Sequence, residues 1–121
     1  MTHPGPPTEI RYSRADRTLT VAFGPGERFV LAAELLRVES PSAEVQGHGG
    51  DQKQIVPGKR AVAITAIEPV GNYAVRLIFD DGHDSGLYSW RVLHELGTKA
   101  DEKWAAYLAA LEARGLSRDP A

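Results

Sequence analysis

Apolar residues fall at every second position through much of the first eighty residues, and at three- and four-residue spacing after them. Ile10 and Tyr12 flank Arg11, and Leu19, Val21 and Phe23 alternate with Thr and Ala, the period-two pattern of half-buried strands. Arg14–Arg17 supplies the turn between them and predicts a hairpin; Gly24-Pro25-Gly26 is a second break. RFVLAAELLRV begins as a strand and closes as a short helix near Ala32–Arg37, because Ala32, Leu35 and Leu36 share one helical face. AVAITAIEPV is β-branched and alternating, a further strand. Gly71 and Asn72 tolerate positive φ and make VGNYA a β-turn into the next strand. That strand places Tyr73, Val75, Leu77 and Phe79 on one face and Ala74, Arg76 and Ile78 on the other. Asp80-Asp81-Gly82 predicts a tight turn, and SGLYS a returning strand.

The C-terminal part is helical. Ser89 is placed to cap a helix over WRVLHEL that stops at Gly97. Trp104, Tyr107, Leu108 and Leu111 form an i, i+3, i+4, i+7 stripe expected to be core. Asp101 and Glu102 near its start and Arg114 near its end suit the helix dipole, and Gly115 ends it. The expectation is an α+β fold, with antiparallel strands, a short helix after the first of them and helices at the C-terminus. Residues 1–7, with three Pro and one Gly, read as a flexible tail, 8–97 as the domain, and 98–121 as a C-terminal helix packed on it.

Between these elements lie two polar stretches that periodicity does not explain. Ser40–Gly50 continues without pattern through DQKQIVPGKR; loops of that length in a compact domain are usually functional or disordered. The second is Asp80–Trp90. Each holds one histidine, His48 or His83, with carboxylates nearby. Composition narrows what they can do. The chain has 121 residues, enough for one domain with its own core. Its formal charge of −2 is spread in mixed sign, which argues against nucleic acid and anionic lipid as partners. It has no cysteine, which removes disulfides, thiolate catalysis and Cys-ligated metal from this chain and fits a reducing compartment. The N-terminus shows no secretory pattern and no apolar run approaches the roughly 20 residues of a membrane helix, so a cytoplasmic protein is expected.

Three chemistries are open to the two loops. His48, His83, Glu44 and Asp81 or Asp84 could assemble a nitrogen–oxygen site for zinc or another divalent metal, although no pair has the helical spacing of a zinc protease. Ser40 or Ser42 with His83 and Asp81 could form a hydrolase triad, but no Gly-x-Ser-x-Gly elbow exists. GPGERF and GHGGDQK lack the phosphate-loop spacing, so a nucleotide enzyme is not expected. Tyr88 and Trp90 could stack on a ligand, or anchor a helix to the sheet, the favoured reading for Trp90.

LRVESPSAEVQGHG, VGNYAVRLIFDDGHDSGLYSW and the LHELG after them resemble the DUF971 family of small bacterial proteins, also described as the gamma-butyrobetaine hydroxylase-like N-terminal domain. The resemblance runs from about Thr8 to Gly97. It implies a β-rich α+β domain. Related domains precede the catalytic part of gamma-butyrobetaine and trimethyllysine dioxygenases, and another lies in a plastid iron–sulfur ATPase. In the dioxygenases the domain holds zinc through three Cys and one His. The motif after Leu36-Arg37 implies that Ser40, Ser42 and Val45 stand at the thiolate positions and His83 at the histidine. Serine hydroxyls stay protonated near neutral pH and valine cannot ligate, so the resemblance implies a degenerate zinc site with no cofactor expected, its loop held instead by Ser hydroxyls capping backbone and by His83 tied to Glu44 or Gln46. The iron and 2-oxoglutarate domain is not part of the resemblance, and His83-Asp84 has the wrong spacing for a His-x-Asp/Glu pair.

The sequence therefore favours a non-enzymatic interaction module. Its binding residues are expected at Ser40, Ser42, Glu44, Gln46, His48, Asp81, His83, Ser85 and Tyr88. Its partner would be a protein, with an oxidoreductase or a metal-trafficking protein as candidates. The alternatives are a metal-binding protein using His48, His83 and carboxylates, or a small-molecule enzyme with a closed pocket near Tyr88.

Overall fold

The computed structural model describes residues 5–47 and 53–120. The first four residues of the expected tail, and His48 with the glycines after it, lie outside that set. The fold is α+β, and the described residues build two three-stranded antiparallel sheets and four helices.

The first sheet is a meander of β1 (Glu9–Ser13), β2 (Thr18–Ala22) and β3 (Arg28–Ala32). Alternation sets its register: Ile10 faces Val21 and Tyr12 faces Leu19, while Val21 and Leu19 face Phe29 and Leu31. Arg17 closes the first turn with a positive φ of 53°. β3 runs straight into α1 (Ala33–Val38), one residue later than the sequence pattern suggested.

The second sheet contains β4 (Ile64–Val70), β5 (Ala74–Phe79) and β6 (Leu87–Ser89), with β5 in the centre. Val75, Leu77 and Phe79 face the core as expected, but Tyr73 does not join them. It belongs to the preceding turn, where its N–H donates to the Val70 carbonyl and its side chain stays 52% exposed. Leu19, Val21 and Leu31 of the first sheet meet Ile64, Leu77, Phe79 and Tyr88 of the second in one buried cluster, which Leu36 and Leu93 complete. Full burial of such side chains contributes about 1.5–3 kcal/mol each.

The long loop is not structureless. Ser42 opens a single helical turn, α2 (Ala43–Gln46), its hydroxyl accepting from the Glu44 N–H. Four residues are too few to express a 3.6-residue period. α3 (Trp90–Thr98) starts as expected, with Ser89 Oγ accepting from the Val92 N–H. Trp90 packs on the core cluster and its Nε1 donates to the Asn72 carbonyl, the anchoring role.

α3 does not stop at Gly97; that glycine is inside the last turn. The absent side chain makes room for Phe29: a Cβ there would sit 2.3 Å from the ring. Lys99 alone separates α3 from α4 (Ala100–Ala113). Tyr107 and Leu111 pack on Val38 with Trp104 against them, whereas Leu108, expected in the same stripe, is 39% exposed. The contact α4 makes is narrow and leaves the Leu108 flank to solvent. Among the described residues no helix is long and apolar enough to cross a membrane.

Gly97→Ala separates propensity from packing. Alanine favours a helix interior by about 1 kcal/mol, but its methyl would collide with Phe29. The expected outcome is a lower thermal midpoint, with destabilisation of about 1–3 kcal/mol. The cost should shrink when Phe29 is cut to alanine. A raised midpoint in Gly97→Ala would contradict this packing.

Candidate functional site

The two polar loops meet. α1 delivers the chain to Ser40, which is fully buried, and Ser42 caps the turn that carries Glu44. On the other side β5 ends in a tight turn. Gly82, at φ 91°, lets the Gly82 N–H reach the Phe79 carbonyl and the Phe79 N–H reach that of His83. The Asp81 carboxylate accepts from the His83 N–H at 3.0 Å. His83 is thereby turned inward, with 2% of its side chain exposed.

The hydrogen bonds fix the proton positions. His83 Nδ1 lies 3.2 Å from the Glu44 carboxylate, which can only accept, so Nδ1 carries a proton. In the neutral ring Nε2 then accepts from the Ser40 hydroxyl at 2.9 Å. Ser40 Oγ in turn accepts from the Ser42 N–H. The second oxygen of Glu44 accepts from the Ser85 hydroxyl at 3.0 Å, so Ser42 donates to Ser85 at 2.7 Å. Ser42 Oγ accepts from the Glu44 N–H, closing a ring of bonds between the loops. Gln46 Nε2 adds a bond to the Ser40 carbonyl. Ser40, Ser42, Glu44, Gln46, His83 and Ser85 thus form one connected network.

Neither Asp81 nor Tyr88 bonds the His83 ring. Asp81 pairs with Arg37 Nε at 2.7 Å and Lys59 Nζ at 2.6 Å, and meets His83 through its backbone, not its ring. The carboxylate on the imidazole is Glu44, one of the two partners expected for it, and not the Asp81 of the Ser–His–Asp alternative. Tyr88 presents no surface to a ligand: it is fully buried and its hydroxyl donates to the Leu36 carbonyl at 2.5 Å. Burial raises its pKa, so it stays a neutral donor. His48 lies outside the described residues.

Three positions were not singled out from the sequence. Arg37 and Lys59 hold Asp81, and Gly86 lets the chain pass Ser40 so closely that a Cβ would lie 2.6 Å from its Oγ. Their spacing along the chain carries no signal, because each acts on a residue far away in sequence.

Burial above all keeps the ring neutral. Burial lowers the His83 pKa, and the Arg37 charge lowers it further against opposing pulls from Glu44 and Asp81. Burial acts to raise the Asp81 pKa, but bonds from Lys59, the His83 N–H and Arg37 outweigh it and hold the carboxyl at about 2.

Serine, imidazole and carboxylate are connected as in an acyl-transfer triad, yet Ser40 has no exposed surface for a substrate to reach. Four cavities of about 240–290 Å³ are walled by described residues, and none has Ser40, His83 or Tyr88 in its wall. The positions that the family resemblance aligns with a zinc quartet are Ser40, Ser42, Val45 and His83. They do not fit the metal. Val45 is buried and apolar, and the Ser40 hydroxyl sits at hydrogen-bond distance from the one ring nitrogen free of a proton. Among the described residues no three His, Cys, Asp or Glu are grouped to hold a metal ion.

Comparison with known proteins gives the following. The model of the family described as gamma-butyrobetaine hydroxylase-like, N-terminal, matches residues 10–94. Seven solved chains match. Two are solution NMR structures of proteins 50% identical to this one, with TM-scores of 0.85 and 0.82; the matches cover 97% and 99% of this chain and 92% of each of theirs. A crystal structure of a DUF971 protein of unknown function from Acidithiobacillus ferrooxidans is 37% identical, with a TM-score of 0.66, over 80% of this chain and 98% of that one. No curated protein matches.

The neutral, buried ring makes stability depend on pH. Because the folded pKa of His83 lies below its ordinary 6.5, the unfolded chain takes up the proton first as pH falls. Stability should therefore drop as pH goes below about 6.5. A second loss, from Asp81, should begin near 3.8 and continue towards about 2. Urea midpoints measured across this range should show both declines, and His83→Gln should lack the first. An unchanged first decline in that variant would show that another group causes it.

Proposed function

Since the chain belongs to the gamma-butyrobetaine hydroxylase-like N-terminal family, we propose that it is a non-catalytic accessory module whose family zinc site has been replaced by hydrogen bonds, and that it binds a protein partner through the surface of its two polar loops. The supporting observation is the closed network from Ser40 to Ser85: it fixes both loops while leaving carboxylates at the surface. The Glu44 side chain is 69% exposed although its oxygens engage His83 and Ser85, and that of Asp84 is 58% exposed although it lies 3.5 Å from Arg76. A rigid acidic edge suits a partner with a basic contact surface, since charge complementarity speeds encounter and fixes register. Oxidoreductases and metal-trafficking proteins are the partner classes in keeping with the family. The absence of cysteine favours a reducing compartment such as the cytoplasm.

The experiment uses the immobilised full chain to capture proteins from an extract of its source cells, with quantitation against a variant carrying Glu44→Gln and Asp84→Lys. Both changes are at exposed side chains. A partner enriched by the native chain should be depleted by about tenfold or more with the variant, equivalent to roughly 1.4 kcal/mol of lost interaction. Equal capture by the two chains would contradict the reading.

A further inference from the structure

Among the described residues, no strand uses the backbone groups on the far side of β3. At the two ends of the β2–β3 ladder, the Phe23 N–H donates to the Glu27 carbonyl at 2.8 Å and the Ala33 N–H to the Arg17 carbonyl at 2.9 Å. Bonded and non-bonded pairs alternate along an antiparallel ladder. Phe29 and Leu31 therefore exchange bonds with Val21 and Leu19, and Val30 lies opposite Thr20 in a non-bonded pair. The N–H and C=O of Val30 point away from β2. Its side chain is 62% exposed, more than that of any other large apolar residue described.

This edge is one wall of a groove of about 260 Å³. Val30, Leu31 and Ala32 line it from β3, and Ala100, Asp101 and Trp104 from α4. The other outer strands are blunted: β4 has Pro69 and an irregular register near Ile64, β6 has three residues, and β1 bears the Glu9–Arg11 ion pair. On β3 the only charge is Arg28, at its start.

We propose that this groove takes an extended peptide segment of a partner protein, which adds to β3 as a fourth strand. The Val30 backbone supplies the pairing, and Val30 and the part of Trp104 left open by Arg118, which lies 5.0 Å over its ring, receive an apolar side chain of the segment. Charge sets the rest of its chemistry. In the groove wall Glu34 is engaged by Arg118 through two bonds of 2.7 and 2.8 Å, while Asp101 has no ion-pair partner among the described residues. The segment therefore carries a basic residue beside its apolar one. A second copy of this chain is the poorer occupant. The one charged residue of β3, Arg28, is held by Glu9, so a second β3 brings no free cation to Asp101.

A capped peptide of alternating lysine and valine, titrated onto the ¹⁵N-labelled full chain, tests the proposal. Saturable shifts are expected at the Val30 and Ala32 amides and the Trp104 indole, with the His83 and Ser85 amides unmoved. Methylating the peptide's backbone nitrogens should weaken binding by about tenfold or more, because the strand bonds are lost. Replacing lysine by glutamate should weaken it similarly, and Asp101→Lys should reverse that preference. No saturable shift, or indifference to both methylation and charge, overturns the proposal. Val30 shifts that follow protein concentration without peptide also overturn it, and assign the edge to a second copy.

Discussion

A buried imidazole joins two segments some forty residues apart, and the arrangement of both polar loops depends on it. His83 can be buried because each ring nitrogen has a partner, Ser40 on one side and Glu44 on the other. An unpaired polar group in that position would cost about 1–3 kcal/mol. Satisfied, the ring ties the turn after β5 to the segment between α1 and α2. Ser40 and Ser42 extend the tie into backbone, so that the helical turn of α2, the Glu44 carboxylate and Ser85 are positioned together.

The surrounding charges protect this arrangement. Arg37 and Lys59 converge on Asp81, and Asp81 holds the His83 backbone. Burial opposes protonation of the ring, and the Arg37 charge adds to that opposition. Beneath them, the Tyr88 hydroxyl bonds the Leu36 carbonyl, linking β6 to α1 at the centre of the core. On the proposed reading, these bonds do the fixing that a metal would do in the related dioxygenase domains. A metal crosslinks through a few strong bonds; here several weaker bonds share the work, and their cooperativity depends on every donor finding an acceptor.

How much of this could be read in the sequence depends on the range of the interaction. Period-two alternation exposed β1, β2, β4 and β5, and Ser89 marked the start of α3, because those signals are local. The pattern also placed the two polar loops, and the family resemblance their meeting. It misplaced Tyr73 and Leu108, whose spacing fits a buried face that the turn and the narrow α4 contact do not extend to them. Gly97 looked like a helix stop, since nothing nearby in sequence reveals Phe29 lying against it. Of the two partners the resemblance offered the His83 ring, Glu44 and Gln46, the structure brings Glu44; the triad alternative with Asp81 fails because the chain turns that carboxylate to its own backbone. Tyr88 looked like a site wall and is core, because β6 points it inward.

The account rests on the state of one ring, and long-range ¹H–¹⁵N correlation of His83 in the purified chain at neutral pH reads that state directly. The hydrogen-bonded tie between the loops predicts a neutral imidazole with its proton on Nδ1 and an unprotonated Nε2. A ring with its proton on Nε2, a doubly protonated ring, or the shifts of a metal-bound nitrogen would contradict it.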